Sequence, residues 1–212
     1  MYKKLLKRLL DILIGLVALP FIILLILILS PFIYLEDRGP VFYNAERRGI
    51  NGKVFKMYKF RSMYVNAPDI RNDDSSTYNG DTDFRVTKIG RFLRKTSLDE
   101  VPQFLNVLKG DMSLIGPRPN LTTKSLESFN KIEWKRISVR PGITGYNQAY
   151  FRNSIPQKEK YINDCYYVDH ISFWLDIKII FQTVNTVLLA KNINTNSIKK
   201  KGIEIGNHND RK

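Results

Sequence analysis

Residues 12–35 read ILIGLVALPFIILLILILSPFIYL, a run of 24 residues without a charge, set between Asp11 and Glu36. As a helix this run extends for about 36 Å, enough to reach across the hydrocarbon of a bilayer. It is longer than a signal-peptide core and lacks a small-residue cleavage site, so it is expected to remain in the mature protein as a membrane anchor. Pro20 lies inside the run, where it removes a backbone hydrogen bond and presses its ring on the preceding turn, so it is the expected point of bending. Pro31, after Ser30, sits at the far end, where a break shortens the segment rather than folding it.

Working outward, the flanks do not fit a simple crossing. Lys3, Lys4, Lys7 and Arg8 precede the run, and positive residues beside a membrane segment favour the cytoplasm. The whole chain has 34 Lys and Arg against 20 Asp and Glu, a net charge of +14, and most of that excess follows the run. Both ends therefore favour one side. Charge alone leaves two arrangements open: a re-entrant helix bent at Pro20, and a kinked full span with the body exported, because long domains translocate largely regardless of charge. In residues 2–10, Leu5, Leu6, Leu9 and Leu10 share one helical face and the four cations the other, a pattern suited to the headgroup region.

The basic balance points to polyanionic partners: nucleic acid, anionic lipid or phosphorylated substrates. Charge does not choose among them. A lone cysteine, Cys165, excludes an internal disulfide framework and reads as a packed apolar group rather than a nucleophile. With two histidines and one cysteine a zinc site is poorly supplied, whereas oxygen ligands for Mg²⁺ are plentiful.

Beyond Gly39 and Pro40, residues 41–43 and 54–60 read as the strands of one β-hairpin around the Gly49 to Gly52 turn. Lys56 and Lys59 fall on opposite faces of the second strand, so one of them is expected in solvent. Residues 66–83 are rich in Asp, Asn, Ser, Thr and Gly and read as a surface loop. Residues 90–108 carry apolar positions at helical spacing broken at Thr96 and Ser97, which predicts two helices. Residues 122–136 and 158–167 read as further helices. Residues 173–189, apolar but interrupted by Asp176, Lys178 and Gln182, read as a helix of the core or of the membrane surface. The fold class is thus α+β, mostly helical, with one hairpin. The organisation expected is a membrane helix over residues 1–36, a catalytic body over 37–190 and a polar tail over 191–212, expected to be disordered.

Ser97-Leu98-Asp99-Glu100 precedes an apolar-periodic stretch, and its plain reading is a capping box, Ser97 as N-cap with Glu100 three residues on. The same helix end would favour an ionised carboxylate and attract phosphate, so cap and catalyst can coincide. A carboxylate beside a bound phosphate can act as a nucleophile if a cation offsets the repulsion between the two anions. Downstream, Pro117-Arg118-Pro119 fixes a loop that presents a guanidinium suited to phosphate oxygens. Arg85, Lys88, Arg91, Arg94 and Lys95 form a basic run that faces either phosphate or solvent.

These pieces, taken in order, carry a resemblance. Lys7-Arg8-Leu9-Leu10-Asp11, the apolar run with its internal proline, Gly39-Pro40-Val41-Phe42-Tyr43, and Arg47, Gly49 and Gly52 come first. Tyr58-Lys59-Phe60-Arg61-Ser62-Met63, Ser97-Leu98-Asp99-Glu100-Val101-Pro102-Gln103, the loop from Asn106 to Pro119 and Val139-Arg140-Pro141-Gly142-Ile143-Thr144-Gly145 complete the series. Over nearly its whole length the chain resembles the bacterial sugar transferases, the small monotopic polyprenyl-phosphate phosphoglycosyl transferases. Pro20 lies nearer the N-terminus, and Pro31 further from it, than that family's usual kink proline. The resemblance implies a re-entrant membrane helix with both ends cytoplasmic, amphipathic helices at the membrane interface and residence on the cytoplasmic face of the bacterial inner membrane. It implies transfer of a sugar 1-phosphate from a UDP-sugar to undecaprenyl phosphate. Asp99 would be the nucleophile, Glu100 the Mg²⁺ ligand and Arg118 a phosphate-binding residue, with Lys59 and Arg85 as weaker candidates for phosphate. It implies no nucleic-acid partner and leaves room for a homodimer. The rival reading is a non-enzymatic, membrane-anchored basic protein that binds anionic lipid or nucleic acid.

Overall fold

The computed structural model describes residues 2–70, 78, 80 and 83–189. The expected polar tail and much of the expected loop at residues 66–83 lie outside the described residues. The apolar run forms one continuous helix, α1 (Lys7–Asp37), with both Pro20 and Pro31 inside it, entered through a π-helical turn at Tyr2–Leu6. By length and composition α1 is the single described helix able to cross a membrane.

The side of α1 that faces the protein is a narrow stripe. Asp11, Gly15, Ile22, Leu29 and Ile33 are buried at spacings of three to four residues and their multiples, while Leu13, Leu16, Val17, Phe21, Leu24, Leu27, Ile28 and Phe32 stay exposed. A soluble helix hides its apolar face; this one shows most of it, as a helix solvated by lipid does.

Both ends of α1 close on the same body. At the start, Arg8 donates to the carbonyls of Val107 and Leu108 at 2.6 and 3.1 Å, and Asp11 accepts from the Leu114 amide at 3.0 Å. Lys7 Nζ lies 2.6 Å from Asp176, a carboxylate also reached by the hydroxyls of Tyr2 and Tyr167. Lys7 and Arg8 thus turn inward to the protein while Leu5, Leu6 and Leu9 stay exposed, Leu5 at 68%. For Lys7 and Arg8 the headgroup-facing placement expected from the pattern of residues 2–10 is corrected: a buried carboxylate and unsatisfied helix-end carbonyls bind a cation more strongly than water does. At the far end, Arg61 grips Asp37 in a bidentate pair with both distances 2.6 Å.

The hairpin is present, but its first strand lies later than expected: β1 (Ala45–Arg48) pairs antiparallel with β2 (Val54–Met57), Ala45 opposite Met57. Residues 41–43 contribute only a bridge from Phe42 to Phe60, whose rings stack at 5.5 Å. Five elements follow in turn: α2 (Lys88–Thr96), a 3₁₀ turn (Leu98–Glu100), α3 (Gln103–Lys109), β3 (Ser113–Ile115) and β4 (Asn120–Leu121). The remainder comprises α4 (Lys131–Arg136), β5 (Gly142–Thr144), α5 (Tyr146–Tyr150), α6 (Gln157–His170) and α7 (Phe173–Leu188). β4 extends the hairpin to a three-stranded sheet, and β3 pairs in parallel with β5. The parallel pair had no signature in the sequence, because strands of three residues are too short to show a period. The helix expected over residues 122–136 shrinks to α4 after a short 3₁₀ turn at Leu126–Ser128, since Asn130 and Glu133 form a capping box that starts the helix there.

Three apolar clusters hold the body together. Leu29 and Ile33 of α1 meet Phe60 and Leu93; Phe55 and Met57 meet Val107 and Met112; Ile115 and Ala149 meet Tyr167 and Ile179. α7 buries Asp176, Ile179 and Thr186 and exposes Trp174, Phe181 and Leu188 on another side, so it has an apolar face on both the core and the outside.

Candidate active site

Lys59 reaches the site because β2 ends one step early. Phe55 and Met57 point into the core and Val54 and Lys56 to solvent. Asn106, fully buried on α3, then accepts from the Tyr58 amide and donates to the Lys56 carbonyl, both at 2.8 Å, in place of a neighbouring strand. The alternation lapses there, so Lys56 is the solvent-facing lysine and Lys59 turns inward. The next residue ties the strand to the acidic turn, for the Phe60 amide donates to the Asp99 carbonyl at 3.0 Å.

The acidic turn itself departs from the expected capping box. Ser97 ends α2 in the left-handed conformation, φ 60°, and its side chain caps nothing; α2 is capped at its start by Thr87. The Ser97 hydroxyl instead accepts from Arg152 at 2.9 Å, and the Glu100 carboxylate turns to cations rather than back to the Ser97 amide. Charge pairing outweighs the local cap because a charge-assisted contact is roughly twice as strong as a neutral one. Pro102 is the N-cap of α3, so the dyad lies one turn ahead of that helix rather than on its first residues. The ordering of its charge therefore rests on side chains more than on the helix dipole.

Those side chains converge closely. Lys59 Nζ lies 2.6 Å from Asp99 Oδ2 and 3.5 Å from Glu100 Oε1, bridging the dyad. The Asp99 side chain is only 5% exposed, that of Glu100 22%. Arg118 Nη2 stands 3.4 Å from Glu100 Oε1 with most of its length in solvent, placed to meet an incoming anion. Burial pushes the Glu100 carboxyl up, but Lys59 and Arg118 outweigh it and hold the group below its ordinary value. The loop that carries Arg118 is anchored from below. Gly116 sits where a Cβ would approach within 2.4 Å of the Arg140 carbonyl, and the Gly116 amide donates to Thr144 at 2.9 Å. Arg136, buried in a pair with Asp164, donates to the Arg118 carbonyl at 3.2 Å.

Four of the residues expected at a site are thus together: Lys59, Asp99, Glu100 and Arg118. Arg85 is not among them. It is buried, bound through Nε and Nη2 to Asp83 and further to the carbonyls of Pro68 and Tyr78. Its guanidinium holds its own loop, and phosphate binding by it is corrected to a structural role. Two further arginines, neither expected as a member of the dyad's own site, act on its charge. Arg152, in a left-handed conformation at φ 49°, is pushed down by burial and drawn up by Glu100 and Asp99. Arg94, which donates to Ser62 at 2.9 Å, is pushed down by burial and drawn up by Asp99 and Asp83. Arg94 was visible only as one of a basic run, and Arg152 had no pattern around it. Cys165 is partly buried on α6, its thiol pushed up by burial.

Fold and site define a class: a protein with one long lipid-type helix and a largely buried carboxylate pair set among cations. The bacterial sugar transferase family matches residues 2–190, and the chain belongs to that family. A galactosyl transferase, CpsE, of Streptococcus agalactiae is 43% identical over 87% of this chain and 42% of its own length. The sugar transferase EpsL of Bacillus subtilis is 42% identical, over 89% of this chain and 90% of its own. A Klebsiella pneumoniae protein named UDP-glucose:undecaprenyl-phosphate glucose-1-phosphate transferase is 41% identical over 84% of this chain and 39% of its own. The chain spans about two fifths of the length of the first and third, and nearly all of EpsL.

Proposed function

We propose that this chain transfers a sugar 1-phosphate from a UDP-sugar to undecaprenyl phosphate, at the cytoplasmic face of a bacterial inner membrane, as an early step of glycan assembly. The names of its relatives support the reaction class, for they act on UDP-glucose or on UDP-N-acetylgalactosamine with undecaprenyl phosphate as acceptor. The observation that carries the reading is the Lys59 ammonium set against both carboxylates of the dyad.

Asp99 is the nucleophile. One of its carboxylate oxygens attacks the phosphorus that bears the sugar; the bond from that phosphorus to the bridging oxygen breaks, and UMP leaves with the electron pair. An oxygen of undecaprenyl phosphate then attacks the aspartyl phosphosugar, the bond to Asp99 breaks, and the carboxylate is restored. Lys59 offsets the repulsion between the Asp99 carboxylate and the diphosphate, while Arg118 and Arg152 hold phosphate oxygens. The donor set suits Mg²⁺, which takes one or two carboxylates and completes its shell with substrate phosphate and water. Glu100 would hold it, and its charge would lower the barrier to bringing an anionic nucleophile to a diphosphate.

The clamps at both ends of α1 support one topology. With the first turn bound to α3 and the last turn bound to Arg61, both ends stay on one body, which favours the re-entrant arrangement over the full span. The exposed apolar sides of α1 and α7 would then lie in and on the lipid.

The test is UMP release by the full chain with Mg²⁺, undecaprenyl phosphate and each of a panel of UDP-sugars. One donor is expected to give turnover, and D99N to abolish it together with the phosphosugar adduct seen by mass spectrometry. Normal turnover by D99N removes the nucleophile assignment.

A further inference from the structure

An open groove of about 490 Å³ lies where the end of α1 meets the start of α2, lined by Phe32, Leu35, Glu36, Lys88, Ile89 and Phe92. Its walls are apolar and exposed, with Phe32 59%, Leu35 73% and Phe92 50% open. Its base is firm, since the Glu36 carboxylate accepts from the amides of Lys88 and Ile89 at 2.5 and 3.0 Å. Those bonds meet the carboxylate with the start of a helix, so its charge is balanced where an anion would pass. From the groove, α2 runs for nine residues, about 13 Å, to Ser97, and the dyad turn follows at once. The exposed side of α2 carries Lys88, Arg91 and Lys95, spaced along the whole of that path.

A ligand that fits has an anionic head and an apolar tail too long for the catalytic cleft. We propose that the groove seats the first isoprene units of the polyprenyl phosphate acceptor, and that Lys88, Arg91 and Lys95 line the path of its phosphate to Asp99. The inference rests on the transferase reading above and adds where the acceptor lies. A bulk phospholipid needs a cation only where its headgroup rests; here the cations continue to the foot of the dyad turn, and of the two anions that react there only the acceptor carries an apolar tail for the groove.

Its test uses the full chain in phospholipid nanodiscs, with F92S and F32S as variants, since both side chains are exposed and their loss leaves the core intact. Three quantities are read: the UMP burst without acceptor, KM for undecaprenyl phosphate against KM for the short geranyl phosphate, and co-sedimentation with phosphatidylglycerol vesicles. The variants are expected to keep the burst and the vesicle binding. KM for undecaprenyl phosphate should rise about tenfold, as the loss of one large apolar contact gives, with KM for geranyl phosphate within about twofold. An unchanged KM for the long acceptor overturns the groove assignment while leaving the transferase reading in place. Weaker vesicle binding with an equal rise for both acceptors assigns the groove to bulk lipid and overturns it as well. No UMP burst from the wild type with any donor defeats the transferase reading itself, and with it this one.

Discussion

Replacing Lys59 by methionine isolates what the cation does for the dyad. The Asp99 side chain, 5% exposed, has the Lys59 ammonium at 2.6 Å, whereas the Lys59 side chain is itself 18% exposed. Removing one partner of a buried ion pair leaves an uncompensated charge and costs about 3–5 kcal/mol. Here the lower end applies, because Arg94 and Arg152 still act on Asp99 and part of the site is open to water. About 3 kcal/mol corresponds to a fall of about 6–12 °C in Tm for a chain of this size. The double variant K59M/D99N removes both charges and keeps the shape, so it should regain most of that loss, to within about 1 kcal/mol of the wild type. Activity should not follow stability: K59M should lose about a hundredfold or more in UMP release, and the double variant should be inactive. Thermal unfolding in detergent and a UMP-release assay read the two quantities separately. If K59M loses less than about 1 kcal/mol, or if the double variant is no more stable than the single one, the pairing does not hold the dyad and the reasoning fails.

Glu100, held below its ordinary value by Lys59 and Arg118, contributes stability that is fully present above about pH 4.5 and is lost as pH falls through its lower folded value. The wild type should therefore lose more Tm than E100Q between neutral and strongly acid pH, as measured by circular dichroism; equal acid sensitivity would refute the pairing. N106L removes the donor and acceptor that stand in for a strand beside Tyr58 and Lys56, and should cost about 2–3 kcal/mol by denaturant unfolding, with UMP release reduced because Lys59 loses its place. In a C165S background, K3C and Y43C should both react with a membrane-impermeant thiol reagent in inverted vesicles and neither in intact cells; labelling of opposite kinds at the two positions would establish a full span.

Several features were legible in the residues alone for definite physical reasons. A run of 24 uncharged residues declares its solvent, because lipid and water differ so strongly in what they accept. The break between α2 and α3 was legible because the apolar period lapses at Thr96 and Ser97, and the four residues Lys59, Asp99, Glu100 and Arg118 were legible through ordered motifs. Local rules failed where a charged partner formed in the fold won. Ser97 and Glu100 have the spacing of a cap, yet Arg152, Lys59 and Arg118 take both side chains. Arg85 has the look of a phosphate ligand, yet Asp83, two residues away, closes on it inside the protein.

The sequence by itself determined the anchor, the helical character of the body and the chemistry available to the site, since these depend on composition and on periods of a few residues. Only the tertiary structure decided that both ends of the anchor close on one body, that β3 and β5 pair, and that Lys59 rather than Lys56 faces the dyad. Each of those outcomes depends on groups far apart in the chain, and their pairing energy exists only once folding has excluded water from between them.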